Sequence, residues 1–164
     1  MQDHLLLLAQ VLVLLGVANG TPIFATRLLG QRFSAPLDGG LKFADGRPLF
    51  GPSKTVRGLL LSLACTTLAA LLLGFEWITG AGLASASMFG DLLSSFIKRR
   101  LGLRAHSQAL GLDQVPESLL PLLLLQQHLG LGYDDVSIIV AAFIVLELVL
   151  SRLLFRLHIR DRPY

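Results

Sequence analysis

Ser87, Asp91, Ser94 and Lys98 recur at helical spacing within an otherwise apolar stretch. At positions i, i+4, i+7 and i+11 they would share one face over about 16 Å of helix axis. An acid at membrane depth is costly unless it faces water, a partner or a metal, which marks Asp91 as a candidate functional residue. The alternative is a structural ion pair with Lys98 or a loop arginine. Flanking glycine-rich segments add Asp38, Asp45 and Asp113, with Lys42, Arg47, Lys54, Arg57, Arg99 and Arg100 among them. Carboxylates can complete a Mg²⁺ shell with waters and phosphate oxygens, while lysine and arginine neutralise charge on departing phosphates. The mixture suits a metal-bound polyphosphate. No general base is evident, and none is needed if the attacking group is itself a phosphate, already ionised near neutral pH.

Other chemistries find less support. The four histidines lack metal-ligand spacing, and the chain has no HExxH pair and no GxxxxGK[ST] loop. Cys65 is the single cysteine, so no disulfide framework exists, and a small, buried, apolar role is expected for it.

The elements that must position these groups follow from composition. A chain of 164 residues allows one domain, but 53% hydrophobic and only 15% charged content point to a membrane rather than to a water-soluble globule. A spanning helix needs about 20 mostly apolar residues. Five spans fit, at about Leu5 to Leu29, Gly58 to Phe75, Trp77 to Ile97, Val115 to Leu131 and Val136 to Leu157. The fourth is diluted by Glu117, Pro121, Gln126, Gln127 and His128, which places it inside the bundle. Gly16-Val17-Ala18 looks like a signal cleavage site. Its head, Met1-Gln2-Asp3-His4, carries no Lys or Arg, however, and apolar sequence resumes after Pro22, so the segment is read as a span.

Alternate loops carry all 14 Lys and Arg: residues 27–57, residues 98–104 and the segment from Arg152 to Arg162. The opposite side has only the acids Asp3, Glu76, Asp134 and Asp135. The positive-inside rule then puts the N-terminus outside and the C-terminus in the cytoplasm. The expectation is an all-α, multi-pass protein of the cytoplasmic membrane, a single domain over residues 1–164, with a candidate site facing the cytoplasm and loops at 31–56 and 98–114.

Several local features refine this. Asn19-Gly20-Thr21-Pro22 predicts a broken first helix, because proline lacks an amide donor and clashes with the carbonyl four residues back; a simple proline kink is the alternative. The loop 31–56 has glycines that let backbone approach a ligand, prolines that stiffen it, and apolar side chains such as Phe33, Leu41 and Phe50 that argue for order. It is expected to cap a pocket. Gly82, Ala86 and Gly90 form a small-residue ridge for close helix packing. Glu147, near the middle of the fifth span, is read as lying away from the cytoplasmic cluster and hydrogen-bonded, while protonated, to a neighbouring helix, with a role in the pocket as the alternative.

Read together, Asn19-Gly20-x-Pro22, Pro36-x-Asp38-Gly39-Gly40, Phe43-x-Asp45-Gly46-Arg47-Pro48, Gly51-Pro52-Ser53-Lys54-Thr55-x-Arg57-Gly58, Gly90-Asp91-x-x-x-Ser95-Phe96-Ile97-Lys98-Arg99-Arg100 and Asp113-Gln114 resemble the CDP-archaeol synthase family over nearly the whole chain. The Ser-Lys-Thr-x-Arg-Gly and Ser-x-x-Lys-Arg runs are also similar to CDP-diacylglycerol synthases. The resemblance implies transfer of CMP from CTP to a membrane lipid phosphate, release of pyrophosphate, and a Mg²⁺ requirement. It implies Asp91 and Asp113 as metal carboxylates, with Lys98, Arg99, Lys54 and Arg57 holding triphosphate and lipid phosphate. Asn19, Asp38, Lys42, Asp45 and Thr55 would shape the nucleotide pocket, and Ser95 and Arg100 belong to the same substrate-binding set. A homodimer is an assembly suggested by resemblance alone. The sequence departs from the pattern at Pro116-Glu117-Ser118, where members tend to be apolar, so the acceptor lipid, ether- or ester-linked, stays open.

Three rivals are weighed against this. A transporter usually shows two related halves and a midplane site, whereas no repeat is evident here. The D-x-x-D-G-x-x-A-R signature of CDP-alcohol phosphotransferases is missing. A non-catalytic protein that binds anionic lipid through its basic loops would share the charge pattern without the chemistry.

Overall fold

Apolar runs punctuated by glycine, proline and capping residues fold into five helices, α1 (Gln2–Leu29), α2 (Val56–Leu72), α3 (Trp77–Arg100), α4 (Gln114–Leu129) and α5 (Tyr133–Arg156). The computed structural model describes residues 2–103, 109 and 111–156; Arg104, Leu157, Arg160 and Arg162 of the sequence reading lie outside them. Among the described residues, α1 and the segment Tyr133–Leu153 of α5 are long and apolar enough to cross a membrane, and α2 is a shorter apolar helix.

The helix ends differ from the expected spans for local reasons. Thr55 caps α2, its Oγ1 accepting from the Gly58 amide at 3.1 Å, so α2 starts at Val56 rather than Gly58. It stops at Leu72, before Gly74, which adopts φ +87°. Lys98, Arg99 and Arg100 prolong α3 beyond Ile97, because cations are favoured at a helix carboxyl end. Gly130, left-handed at φ 66°, ends α4 at Leu129, just short of Leu131. Asp134 and Asp135 fall in the first turn of α5, where acids complement the helix amino end, so α5 begins at Tyr133 instead of Val136.

The predicted break at Pro22 does not occur. Helix α1 runs through it, and the carbonyl that proline leaves without a partner, that of Ala18, accepts from Ser62 Oγ of α2 at 2.7 Å. Thr21 and Asn19 bond back to the carbonyls of Val17 and Leu15. A proline is tolerated inside such a helix when a neighbouring helix satisfies the freed backbone.

The interior is mixed. Val11, Leu14, Leu15, Leu83, Leu122, Ile139 and Phe143 build an apolar core, while Ser62, Thr66, Ser87, Ser94, Gln114, Glu117 and Ser118 are buried beside it. Leucines 60, 68, 71 and 72 of α2 and Val145 and Val149 of α5 point outward. Apolar outside and polar inside is the arrangement expected of a bundle surrounded by lipid. Cys65, expected to be buried, is on this outer face and exposed, because the inner face of α2 is taken by Ser62, Thr66 and Ala70.

Helices α3 and α4 approach most closely at Gly90. A Cβ placed there would lie 2.2 Å from the Pro116 carbonyl oxygen and 2.9 Å from the Glu117 amide nitrogen. At Gly82, about two turns away on the same ridge, it would meet only the Leu125 side chain at 3.5 Å. Gly90→Ala is therefore expected to destabilise the bundle by about 1–3 kcal/mol or more, while Gly82→Ala is neutral or slightly stabilising through helix propensity. Thermal unfolding of the two variants in detergent checks the contrast.

Candidate active site

The loop between α1 and α2 is built around one carboxylate. Asp38 accepts from the amides of Gly40, Phe50 and Gly51, each at 3.0 Å. Burial alone would raise its pKa, but these backbone donors outweigh that cost and hold it below the ordinary 3.8. Pairing of Pro36 with Thr55, and the Leu37 amide on the Lys54 carbonyl at 2.7 Å, then tie the two ends of the loop together. Lys54 is thereby fixed beside the amino end of α2.

From that position Lys54 Nζ reaches both carboxylate oxygens of Asp91, at 2.5 and 2.6 Å. The two side chains are only 21% and 20% exposed. Burial would lower the ammonium pKa, yet the charges of Asp91, Glu117 and Asp113 overcome it and hold Lys54 above its ordinary value. A second pair, Lys98 Nζ to Asp113 at 2.6 Å, lies nearby, with Lys98 close enough to interact electrostatically with Asp91. Asp113 also accepts from the Ala109 amide, closing the turn before α4. Asp91 thus has a loop lysine as its direct ion partner, where the alternative reading offered Lys98 or a loop arginine, and Lys98 pairs with Asp113.

The other residues singled out by sequence divide between this cluster and the scaffold around it. Asn19 donates to Ser87 Oγ at 2.9 Å, joining α1 to the polar face of α3. Ser95 is buried on α3, and Arg99, also buried, packs beside Gly51 and within electrostatic reach of Asp113. Arg100 pairs with Asp45 at 2.8 Å, donates to the Pro48 carbonyl at 2.6 Å and stacks on Phe43 and Phe96. Arg47 donates to the Arg100 carbonyl at 2.5 Å, capping α3. Arg57 turns to the carbonyls of Gly30 and Arg32 at the end of α1. Lys42 pairs through its backbone with Pro48 inside the loop, and its side chain is exposed. Phe33 and Leu41 remain exposed as well, so the loop owes its order more to Asp38 and the arginine staples than to apolar burial.

One participant was missed. Glu117 of α4 is 6% exposed and its side chain hydrogen-bonds to Asp91. In the sequence it looked like a dilution of an apolar helix; the signal was an unpaired acid within that run. Glu147 is also closer than expected, interacting electrostatically with Glu117, because α5 packs along α4. The reading that set it away from the cluster is corrected accordingly.

Beside the Lys54–Asp91 pair a small pocket, open to solvent, lies between α1, α2 and α3. Lys54, Thr55 and Asp91 give it a polar floor, and Pro22, Leu59 and Leu92 give it apolar walls.

An inside-out helical bundle with a charged cleft at one end is the form of a membrane-embedded protein. Comparison with known proteins makes this specific. The family model described as CarS-like CDP-archaeol synthase matches residues 73–164. The CDP-archaeol synthase of Sulfurisphaera tokodaii is 36% identical over 156 residues, covering 90% of this chain and 89% of the relative. That of Sulfolobus acidocaldarius is 35% identical over 154 residues, covering 90% and 91%. A solved structure described as an intramembrane enzyme for archaeal membrane lipid biosynthesis superposes with a TM-score of 0.66 at 28% identity, covering 85% of this chain and 91% of that one. The chain belongs to the CDP-archaeol synthase family, and it is a membrane enzyme of the cytidylyltransferase class.

The loop's dependence on Asp38 gives a direct test. Asp38→Asn is expected to weaken the charged hydrogen bonds by about 1.5 kcal/mol, raising trypsin cleavage after Lys42 roughly tenfold. Because the folded carboxyl titrates below 3.8, its contribution is complete above that value and lost as pH falls through the lower folded one. Cleavage by an acid protease should rise over that interval in the wild type and not in the variant.

Proposed function

We propose that this chain transfers CMP from CTP to the phosphate of a membrane lipid. An oxygen of the lipid phosphate attacks the α-phosphorus of CTP, the bond from that phosphorus to the β-bridging oxygen breaks, and pyrophosphate leaves with its electron pair. The observation that carries this reading is the placement of the Lys54–Asp91 pair at the floor of a cleft with apolar walls. Such a cleft can seat a phosphate against a lysine while acyl or isoprenoid chains lie along Pro22, Leu59 and Leu92.

Mg²⁺ fits the residues present. Among the described residues no three His, Cys, Asp or Glu side chains cluster closely enough to enclose a cation. A nucleotide-borne Mg²⁺ needs only one or two carboxylates, with phosphate oxygens and waters completing its shell. Asp91 and Asp113 are the carboxylates proposed to hold it. Bound there, it would neutralise charge developing on the departing pyrophosphate. Lys54 and Lys98, now paired with these two acids, would exchange them for phosphate oxygens when substrate arrives. Arg99 lies at the same end of the cluster and adds positive potential.

The five helices are proposed to span the membrane, with the loop 31–56 and the end of α3 in the cytoplasm, as the bias of basic loops requires. The relatives' names favour an ether-linked archaeal acceptor.

Purified protein incubated in detergent with labelled CTP, Mg²⁺ and ether- or ester-linked lipid phosphates is expected to form CDP-lipid and pyrophosphate, fastest with the ether acceptor. Asp91→Asn should lower turnover by about 10³-fold, and Lys98→Ala by about 10²-fold. Absence of CDP-lipid from every acceptor removes the proposal.

A further inference from the structure

The turn that leaves α1 holds an aromatic ring where little of the chain receives it. Phe33 is 81% exposed and adopts φ 57°, a left-handed conformation that bulky residues rarely take. The turn is nevertheless fixed on both sides of it. Arg57, buried at the start of α2, donates through Nη1 to the carbonyls of Gly30 and Arg32, and Ser34 Oγ donates to the Gln31 carbonyl at 2.8 Å. Strained backbone persists only where its surroundings over-determine it, and such places are often functional. An exposed ring on a held, strained turn is unfavourable twice, in backbone conformation and in hydration, unless something outside the chain covers it.

The neighbouring residues say what that is. Leu28, also 81% exposed, lies one turn after the exposed Phe24 and continues the apolar outer surface of α1 to the turn. Arg27 and Arg32 alternate with these residues in sequence and are exposed, and among the described residues no carboxylate pairs with either. About 20 residues cross the hydrocarbon, so a span that starts at Leu5 reaches its boundary near Phe24, and Leu28 follows about 6 Å farther, at headgroup level. Apolar side chains interleaved with unpaired arginines at that level match the boundary between acyl chains and anionic headgroups.

We infer that Leu28 and Phe33, with Arg27 and Arg32, form a docking patch that seats the loop between α1 and α2 on an anionic lipid surface. This rests on α1 crossing the bilayer and not on the transfer reaction. The same turn leads into the pairing of Pro36 with Thr55, so docking there steadies the loop that carries Lys54 to Asp91.

The test attaches an environment-sensitive dye to Phe33→Cys in the full-length chain carrying Cys65→Ser, reconstituted in phosphatidylcholine vesicles with or without about one third phosphatidylglycerol. Leu28→Cys provides a second site, and helical circular dichroism checks that each variant folds. With anionic lipid present, a nitroxide near the headgroup end of the lipid chain is expected to quench the dye, and aqueous iodide to quench it several-fold less than free dye. Arg32→Gln should cut the gain in docked dye that anionic lipid brings, read from the dye's two lifetimes, roughly fivefold, the scale of one arginine near an anionic surface. Full iodide access at both sites overturns the inference, as does equal docking in the two kinds of vesicle. Protection without lipid quenching that varies with the labelled fraction overturns it too, by assigning the patch to a second copy of the chain. A label on Val13→Cys, exposed in the middle of α1, separates the two levels. A chain-end nitroxide that fails to reach Val13 removes the span and the docking with it, whereas quenching at Val13 without quenching at Phe33 and Leu28 overturns the docking alone.

Discussion

The contact on which the site depends is the ion pair between Lys54 and Asp91. It joins a loop outside the helices to an acid inside them, and its strength comes from partial burial, since opposite charges attract more when water is excluded. Neither partner would be tolerable there alone. An unpaired carboxylate or ammonium in such surroundings costs several kcal/mol, so the pair holds the loop down and keeps the helix acid solvated by charge. In the proposed reaction a triphosphate and its cation would offer each partner a substitute for the other.

The rest of the chain brings these two residues together. Lys54 is placed by the loop, whose fold turns on the amides gathered by Asp38 and on the Thr55 cap. Asp91 is placed by α3, which lies against α4 at Gly90 and is joined to α1 through Asn19 and Ser87. Helix α1 could not pass straight beside them were the carbonyl freed by Pro22 left bare, and Ser62 supplies its donor. Small residues and hydroxyls inside the bundle therefore serve two ends, close approach of backbones and satisfaction of polar groups where lipid offers neither.

The basic residues divide into two sets. Lys54, Lys98 and Arg99 lie at the acids of the cluster, whereas Arg47, Arg57 and Arg100 spend their donors on carbonyls at helix ends and on Asp45. A guanidinium is suited to the second task, because its planar fork can bridge several acceptors at once. Charge concentration at one end of the molecule thus has a structural share, in the guanidinium contacts that hold the loop and the helix ends together.

Much of this was legible in the linear chain. Five helices, an ordered loop between the first two, the stripe on α3 and the small-residue ridge follow from apolar length, periodicity and glycine placement, all of which are local properties. Family membership was legible as well, since six short motifs in order cannot recur by composition. What the chain did not disclose was partnership. The alternative reading offered Asp91 either Lys98 or a loop arginine, but packing of the helices and the loop gave Asp91 to Lys54 and Lys98 to Asp113. Pro22 read as a break because its rescue by Ser62 lies 40 residues away in sequence. Glu117 read as a blemish in an apolar helix because only the Gly90–Pro116 contact turns it toward Asp91. Local pattern determines which segments are helices and which end carries charge; which side chains meet is decided by close packing between helices, a property of pairs of surfaces that no single segment contains.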